Sequence, residues 1–413
     1  MPISRYSERT LLLLLAAVQF THILDFMVIM PLGEQLMREL AIGPGQFSHL
    51  VAAYTISAGV VGLITAPFMD RFDRRKVLLL AYAGFVIGTL ACAFSTTAGM
   101  LMMSRVICGA FGGVSGATIM AIVGDIVPPQ RRASGMGVIM TAFAAAAALG
   151  VPFGLYLAQK FRWEMPFFLV AGLGVVVWLL IYVTLPAIRA HLEDTPVHHF
   201  KAFFELLRDA NAGRALVFMS ALVMGHFALI PLLAPYLVTN MGLPENKLFL
   251  VYMVGGISSA LTAPLCGRLA DKFGRLRVFA ILIAVACAVT LWISNSGPLP
   301  VWAVLISAGL FFTFASGRFI PAQAIVSLAV PSQRRGSFMS LTSCTRDLTS
   351  GITSSLGGWV VTKSPTGQLV NFDKLGWLAV IVSLLSLWLA SRVHVREIHH
   401  PNQPEPDEKP LRQ

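Results

Sequence analysis

An acid and an imidazole stand three residues apart in a stretch that offers them no water. In QFTHILDFMVIMPLG, residues 19–33, His22 and Asp25 interrupt an apolar run long enough to cross a bilayer. An Asp at the centre of such a helix is about 2.5 to 3.5 kcal/mol uphill, so a partner, a wet cavity or a function must hold it there. Three residues of spacing put both side chains on one helix face, which must look inward. Other apolar stretches carry Arg105, Arg318, Arg346 and Asp347. Counting about 1.5 Å per residue, Asp25 and Arg105 lie about 9 to 10 Å from matching ends of their helices and can meet. Arg318, Arg346 and Asp347 share a depth of about 15 to 18 Å from the other end, which makes a second cluster plausible.

An opposite charge favours the ionised form of a carboxylate, whereas desolvation favours the neutral form. A site that alternates between wet and closed can therefore carry a proton on Asp25, tuned by Arg105. The competing reading is a permanent ion pair that ties two helices together. His22 and His226 fall near the midplane; they serve as hydrogen-bonded core residues, or as proton relays or substrate contacts. Three intramembrane Arg against two Asp leave one positive charge over, which hints at an anionic group on the substrate unless backbone carbonyls satisfy the Arg.

The elements that position these residues follow from composition. The chain has 413 residues, 56% hydrophobic and 12% charged, which excludes an ordinary soluble domain. Apolar windows of about 20 residues predict twelve transmembrane helices, and so an all-α membrane protein. The net charge of +11 is a matter of topology rather than nucleic-acid binding. With both termini cytoplasmic, most of the Lys and Arg fall in cytoplasmic loops. The five cysteines stand singly in apolar segments, without metal spacing, and read as packing residues.

The chain also repeats. APFMDRFDRRKV (66–77) aligns with GRLADKFGRLRV (267–278), VPPQRRASGM (127–136) with VPSQRRGSFM (330–339), and His22 and Pro31 with His226 and Pro235, all at an offset slightly above 200. A duplication of six helices explains all three. An even helix count gives both halves one orientation, the parallel repeat of a large transporter class.

GRLADKFGR, with Gly267, Asp271, Gly274 and Arg275, resembles the loop signature of the major facilitator superfamily, found between helices 2 and 3 and between helices 8 and 9. The first copy departs from it, with Ala66 and Asp73 where glycines are usual. Arg105 with Gly109 is similar to a second signature of the family. Gly150, Pro152 and Gly154 look like a shortened form of the helix 5 signature of drug/proton antiporters, with Leu155 replacing one closing glycine. The resemblance covers about residues 10–392 and is to the twelve-helix drug and sugar efflux branch, which includes arabinose-efflux permeases. It implies two six-helix bundles around an alternating-access cavity lined by helices 1, 4, 7 and 10. It also implies a cytoplasmic gate of Asp70, Arg74, Asp125, Asp271 and Arg275, for which the plainer reading is positive-inside anchoring.

The domains expected are a bundle at 1–185, a cytoplasmic linker at 186–213 with an amphipathic helix over 198–213, a second bundle at 214–392 and a disordered tail at 393–413. The function expected is export of a small organic molecule, a drug or sugar-like metabolite, by proton antiport. Symport or facilitated diffusion with a structural Asp25 is the nearest alternative, and a transporter-like receptor or scaffold the next. No cofactor, metal-ligand set, clustered nucleophile or nucleotide-binding loop is expected. The partners are substrate, protons and lipid, and the protein is expected as a monomer in a bacterial inner membrane.

Overall fold

A computed structural model describes residues 7–69, 71–128, 131–189, 208–331 and 334–394. Twelve helical spans follow in order. Span 1 is Glu8–Val28 and resumes at Gly33–Glu39; span 2 is Pro44–Met69, span 3 Arg74–Ala93, span 4 Ala98–Ile126. Span 5 runs through Arg132–Ala145, a π-helical turn at Ala146–Gly150 and Val151–Lys160; span 6 is Met165–Thr184. The second half has span 7 (Ala210–Phe227 and Ile230–Thr239), span 8 (Leu248–Phe273), span 9 (Arg275–Ser294), span 10 (Val301–Gly317 and Phe319–Ser327), span 11 (Arg335–Val360) and span 12 (Phe372–Ser391). Span 7 thus starts earlier than the boundary expected at 214, capped by the Asp209 carboxylate on the Asn211 and Ala212 N–H groups. The amphipathic stretch lies mostly outside the described residues, as does nearly all of the tail with His399 and His400.

Eleven of the spans are long and apolar enough to cross a bilayer by composition alone. The exception, span 11, is rich in Ser and Thr. Its hydroxyls return to the helix's own carbonyls, Thr342 to Phe338, Thr345 to Leu341 and Ser354 to Ser350, which removes their need for water. Large side chains such as Leu80, Leu261, Ile281 and Trp302 are exposed on the rim, as lipid contact requires.

Proline breaks three spans, each beside an intramembrane polar residue. Pro31, Pro231 and Pro321 have no N–H to give the carbonyls of Met27, Phe227 and Gly317. The chain responds with shorter-range bonds, Met30 N–H to Met27 O and Leu229 N–H to His226 O, or with a turn at Arg318. Pro152 stands beside the π-turn of span 5 in the same way.

Small residues set the close approaches. Gly109 and Gly113 of span 4 lie on the span 2 backbone at Tyr54 and Ala58. Gly150 and Gly154 of span 5 receive Leu24 and Val28 of span 1, one residue before and three residues after Asp25. The two halves meet along spans 2 and 11, where Gly45, Gly59 and Gly62 pack on Gly358, Leu348 and Cys344, over about 25 Å of helix. Gly256 of span 8 sits on the span 5 backbone at Ala147 and Ala148. At the end away from the termini the halves are also bonded: Arg38 to Glu245 (3.2 Å), Lys363 to Glu34 (2.9 Å), and Gln159 to the Glu245 carbonyl (2.6 Å). That far end is closed.

Candidate functional site

Asp25 is fully buried one turn before the break in span 1. Its Oδ2 accepts from Arg105 Nη1 at 2.7 Å, its Oδ1 from the Thr89 hydroxyl of span 3 at 3.2 Å, and its backbone carbonyl from Arg105 Nη1 at 3.2 Å. Arg105 is equally buried, and its Nε and Nη2 find no hydrogen-bond partner among the described residues. The Tyr54 ring covers the guanidinium with its centroid 4.5 Å from Cζ, a cation–π contact in place of a second anion. The pair expected from depth alone is therefore present, and it joins spans 1, 3 and 4 while span 2 seals it. Span 4 holds Arg105 there because Gly109 and Gly113 let it lie flat on span 2.

His22, one turn earlier on the same face, packs edge-on against Phe85 at 4.1 Å and near Tyr82 at 5.9 Å. Its Nε2 is buried with no partner among the described residues. Between the halves, Phe26 bridges Tyr54 (5.4 Å) and Phe227 (6.2 Å).

The second expected cluster does not form. Arg318, 3% exposed, turns to span 12 and donates to the Ser383 hydroxyl at 2.9 Å, while Arg346 and Asp347 stand together on span 11 with 3.8 Å between Nε and Oδ1. Equal depth fixes only height along the membrane normal; helix rotation sends Arg318 outward to span 12. At about 100° per residue, Asp347 shares the polar face of Ser343, Ser350 and Ser354, opposite the exposed Ile352 and Leu356. The Asp347 side chain is 32% exposed, whereas Ser350 and Ser354 on the same face are buried. Arg346, expected inside the apolar layer, is half exposed and donates to Ser343 at 3.3 Å.

This arrangement, broken helices around intramembrane charges in a duplicated twelve-span chain, has counterparts. A family model described as Major Facilitator Superfamily matches residues 15–354 and 216–413. The chain belongs to that superfamily. It is 23% identical over 379 residues to the MFS-type transporter YceJ of Bacillus subtilis, covering 90% of this chain and 93% of that one. It is 26% identical over 293 residues to the putative transporter AraJ of Escherichia coli, covering 68% and 72%. Among solved structures a D-xylose–proton symporter superposes with a TM-score of 0.75 at 16% identity, over 92% of this chain and 97% of that one. The protein is accordingly an integral multi-pass membrane transporter of small substrates rather than an enzyme, and its two six-span halves are those of the major facilitator fold.

The two copies of the superfamily's loop signature are built differently. In the second, Gly274 takes φ +92°, a backbone that side chains rarely adopt, to turn from span 8 into span 9; Asp271 is exposed and Arg275 half-buried beside it, and Gly267 lies against Ile320. In the first, Asp73 has φ −57° and needs no such turn. It caps span 3 on the Arg75 N–H (3.0 Å) and clamps the end of span 6 through the Ile188 N–H (3.2 Å) and Arg189 Nε (2.9 Å). Burial pushes the Asp73 carboxyl up, but these donors together hold it below its ordinary 3.8. Arg74, nearly buried, donates to Asp125 at the end of span 4 at 3.3 Å, so these two gate residues meet. Asp70 lies outside the described residues. Gly150 and Gly154 of the shortened helix 5 signature form the wall of span 5 against span 1 described above, while Pro152 and Leu155 are buried in the same span.

Sequence reasoning missed Thr89, Tyr54 and Ser383 as partners of the buried charges, and Asp73 with Arg189 at the loop. A hydroxyl within an apolar run was the available signal for the first three.

Proposed function

We propose that the protein exports a small organic molecule in exchange for protons by alternating access, with Asp25 as the proton site and Arg105 as the partner that reports its state. The observation that supports this reading is the completely buried 2.7 Å pair beside a proline break in span 1. With Asp25 ionised, span 1 is fastened to span 4, and pulling one charge from the other costs about 3 to 5 kcal/mol. Protonation cancels one charge. Arg105 then retains the Tyr54 ring of span 2, so the guanidinium is not stranded when span 1 moves against span 4. Gly150 and Gly154 place span 5 on both sides of Asp25, so a shift of span 1 is passed to span 5 and from there to Gly256 in the other half. Asp347, partly exposed on the polar face of span 11, is the second proton-accepting group available to the cycle, and Arg346 stands beside it. The gate loops, with the Arg74–Asp125 pair in the first half and Asp271 and Arg275 in the second, serve the end that bears the termini, which this reading places in the cytoplasm.

Facilitated diffusion with a static ion pair is the rival reading. Proton release by purified, weakly buffered protein on addition of a transported compound separates the two. Exchange predicts release in the wild type and none in Asp25→Asn; a facilitator releases none in either.

A further inference from the structure

Among the described residues, the buried cation of the second half has no anion of its own. In the first half the Arg105 charge is matched by Asp25, three residues after His22 on span 1. The repeat places His226 on span 7 where His22 stands on span 1, and the position matching Asp25 is Leu229, a buried aliphatic residue. Arg318 is 3% exposed, yet among the described residues no carboxylate lies within ion-pair distance of it, and its Nε has no partner. A single hydroxyl, Ser383 Oγ at 2.9 Å, is its bond.

Around this charge the structure gathers what a bound anion needs. Ser383 Oγ, which takes the Arg318 bond, sits against Gly225 of span 7, where a Cβ would not fit, and the next residue of span 7, His226, packs on Phe319, the chain neighbour of Arg318. His226 Nδ1 is buried without a hydrogen-bond partner among the described residues. The imidazole stacks parallel to Phe311 at 6.1 Å and meets Phe319 edge-on at 5.3 Å, so the walls are aromatic. Both spans break here, span 7 after Phe227 and span 10 at Arg318, and broken spans line substrate sites in carriers of this architecture. A buried cation without a counter-charge is costly, and an anion that arrives with the cargo would relieve that cost.

We propose that Arg318 and His226 form an anion subsite that takes the carboxylate of an aromatic or otherwise apolar organic acid, the Arg pairing with the charge and the imidazole donating from Nδ1. The inference rests on the protein being a small-molecule carrier, and is independent of which group carries the proton. Mid-bundle depth argues for a small organic acid over a lipid headgroup.

The test uses full-length protein in lipid-free maltoside detergent, with benzoate as probe and benzamide or chloride at equal ionic strength as controls. Benzoate should raise the melting temperature in a saturable way and the controls should not. Arg318→Gln should weaken the benzoate response about tenfold or more, the loss of a charge-assisted bond. His226→Gln, which keeps Arg318 and serves if Arg318→Gln does not fold, should weaken it by a smaller factor. Asp25→Asn should retain it, so failure here is separable from failure of the proton-exchange reading. Equal protection by benzamide or chloride, competition by added phosphatidylglycerol, or a wild-type response in both variants would overturn the proposal.

Discussion

Asp25 has two carboxylate oxygens, and each has a donor, Arg105 on one and Thr89 on the other. Arg105 has two nitrogens left without hydrogen bonds and an aromatic face over its plane. A cation held this way depends on the ring rather than on the phenol hydroxyl. Tyr54→Phe should therefore transport at close to the wild-type rate, whereas Tyr54→Leu should slow uphill transport about tenfold, the equivalent of a desolvated cation–π contact of roughly 1 to 2 kcal/mol. Asp73 gives a pH-dependent prediction. Its carboxyl is held below the ordinary value of 3.8, so the stability it contributes is present above that value and is lost as pH falls through the lower folded value. Melting curves of wild type and Asp73→Asn should differ at pH 7 and converge below 3.8; a difference that persisted in acid would remove the clamp on Arg189 from the account. How much of this was legible differs by residue. The meeting of Asp25 with Arg105 followed from depth and the cost of burying a charge. The placing of Arg318 did not, because rotation about a helix axis is set by neighbours such as Ser383 and Gly225 that depth does not encode.

Among the elements, spans 1, 7 and 10 are interrupted by proline next to Asp25, His226 and Arg318, whereas span 11 is continuous and polar. Twelve windows were readable in sequence, span 11 included, even though its Ser and Thr content takes it below the hydropathy of the rest. Of the π-turn at Ala146–Gly150 only Gly150 and Pro152 stood out in the sequence, as part of the shortened helix 5 signature. The contact between spans 2 and 11 sets a steric prediction. A Cβ at Gly351 would press into Ile56 and Thr55 and towards the Ala52 carbonyl, so Gly351→Val must push the halves apart. A cysteine at Ser355 should then react faster with a maleimide in the Gly351→Val background than in the wild type; unchanged labelling would mean the contact yields elsewhere. His49 links the same spans, accepting from the Trp359 indole at Nε2 and bonding Ser355 through Nδ1, both at 3.2 Å.

At the scale of the molecule, the far end is held by exposed pairs between the halves, and exposed pairs contribute only about 0 to 1 kcal/mol each. Closure there is easily reversed, as a carrier requires, and the buried Asp25–Arg105 pair is the stronger fastening. The central claim is that the charge state of Asp25 decides whether the cycle can be driven uphill. The direct measurement is accumulation of a transported compound in proteoliposomes under an imposed pH gradient, followed by exchange with no gradient. The account predicts that Asp25→Asn abolishes gradient-driven accumulation while leaving downhill exchange measurable. Full, gradient-dependent accumulation by Asp25→Asn would contradict it.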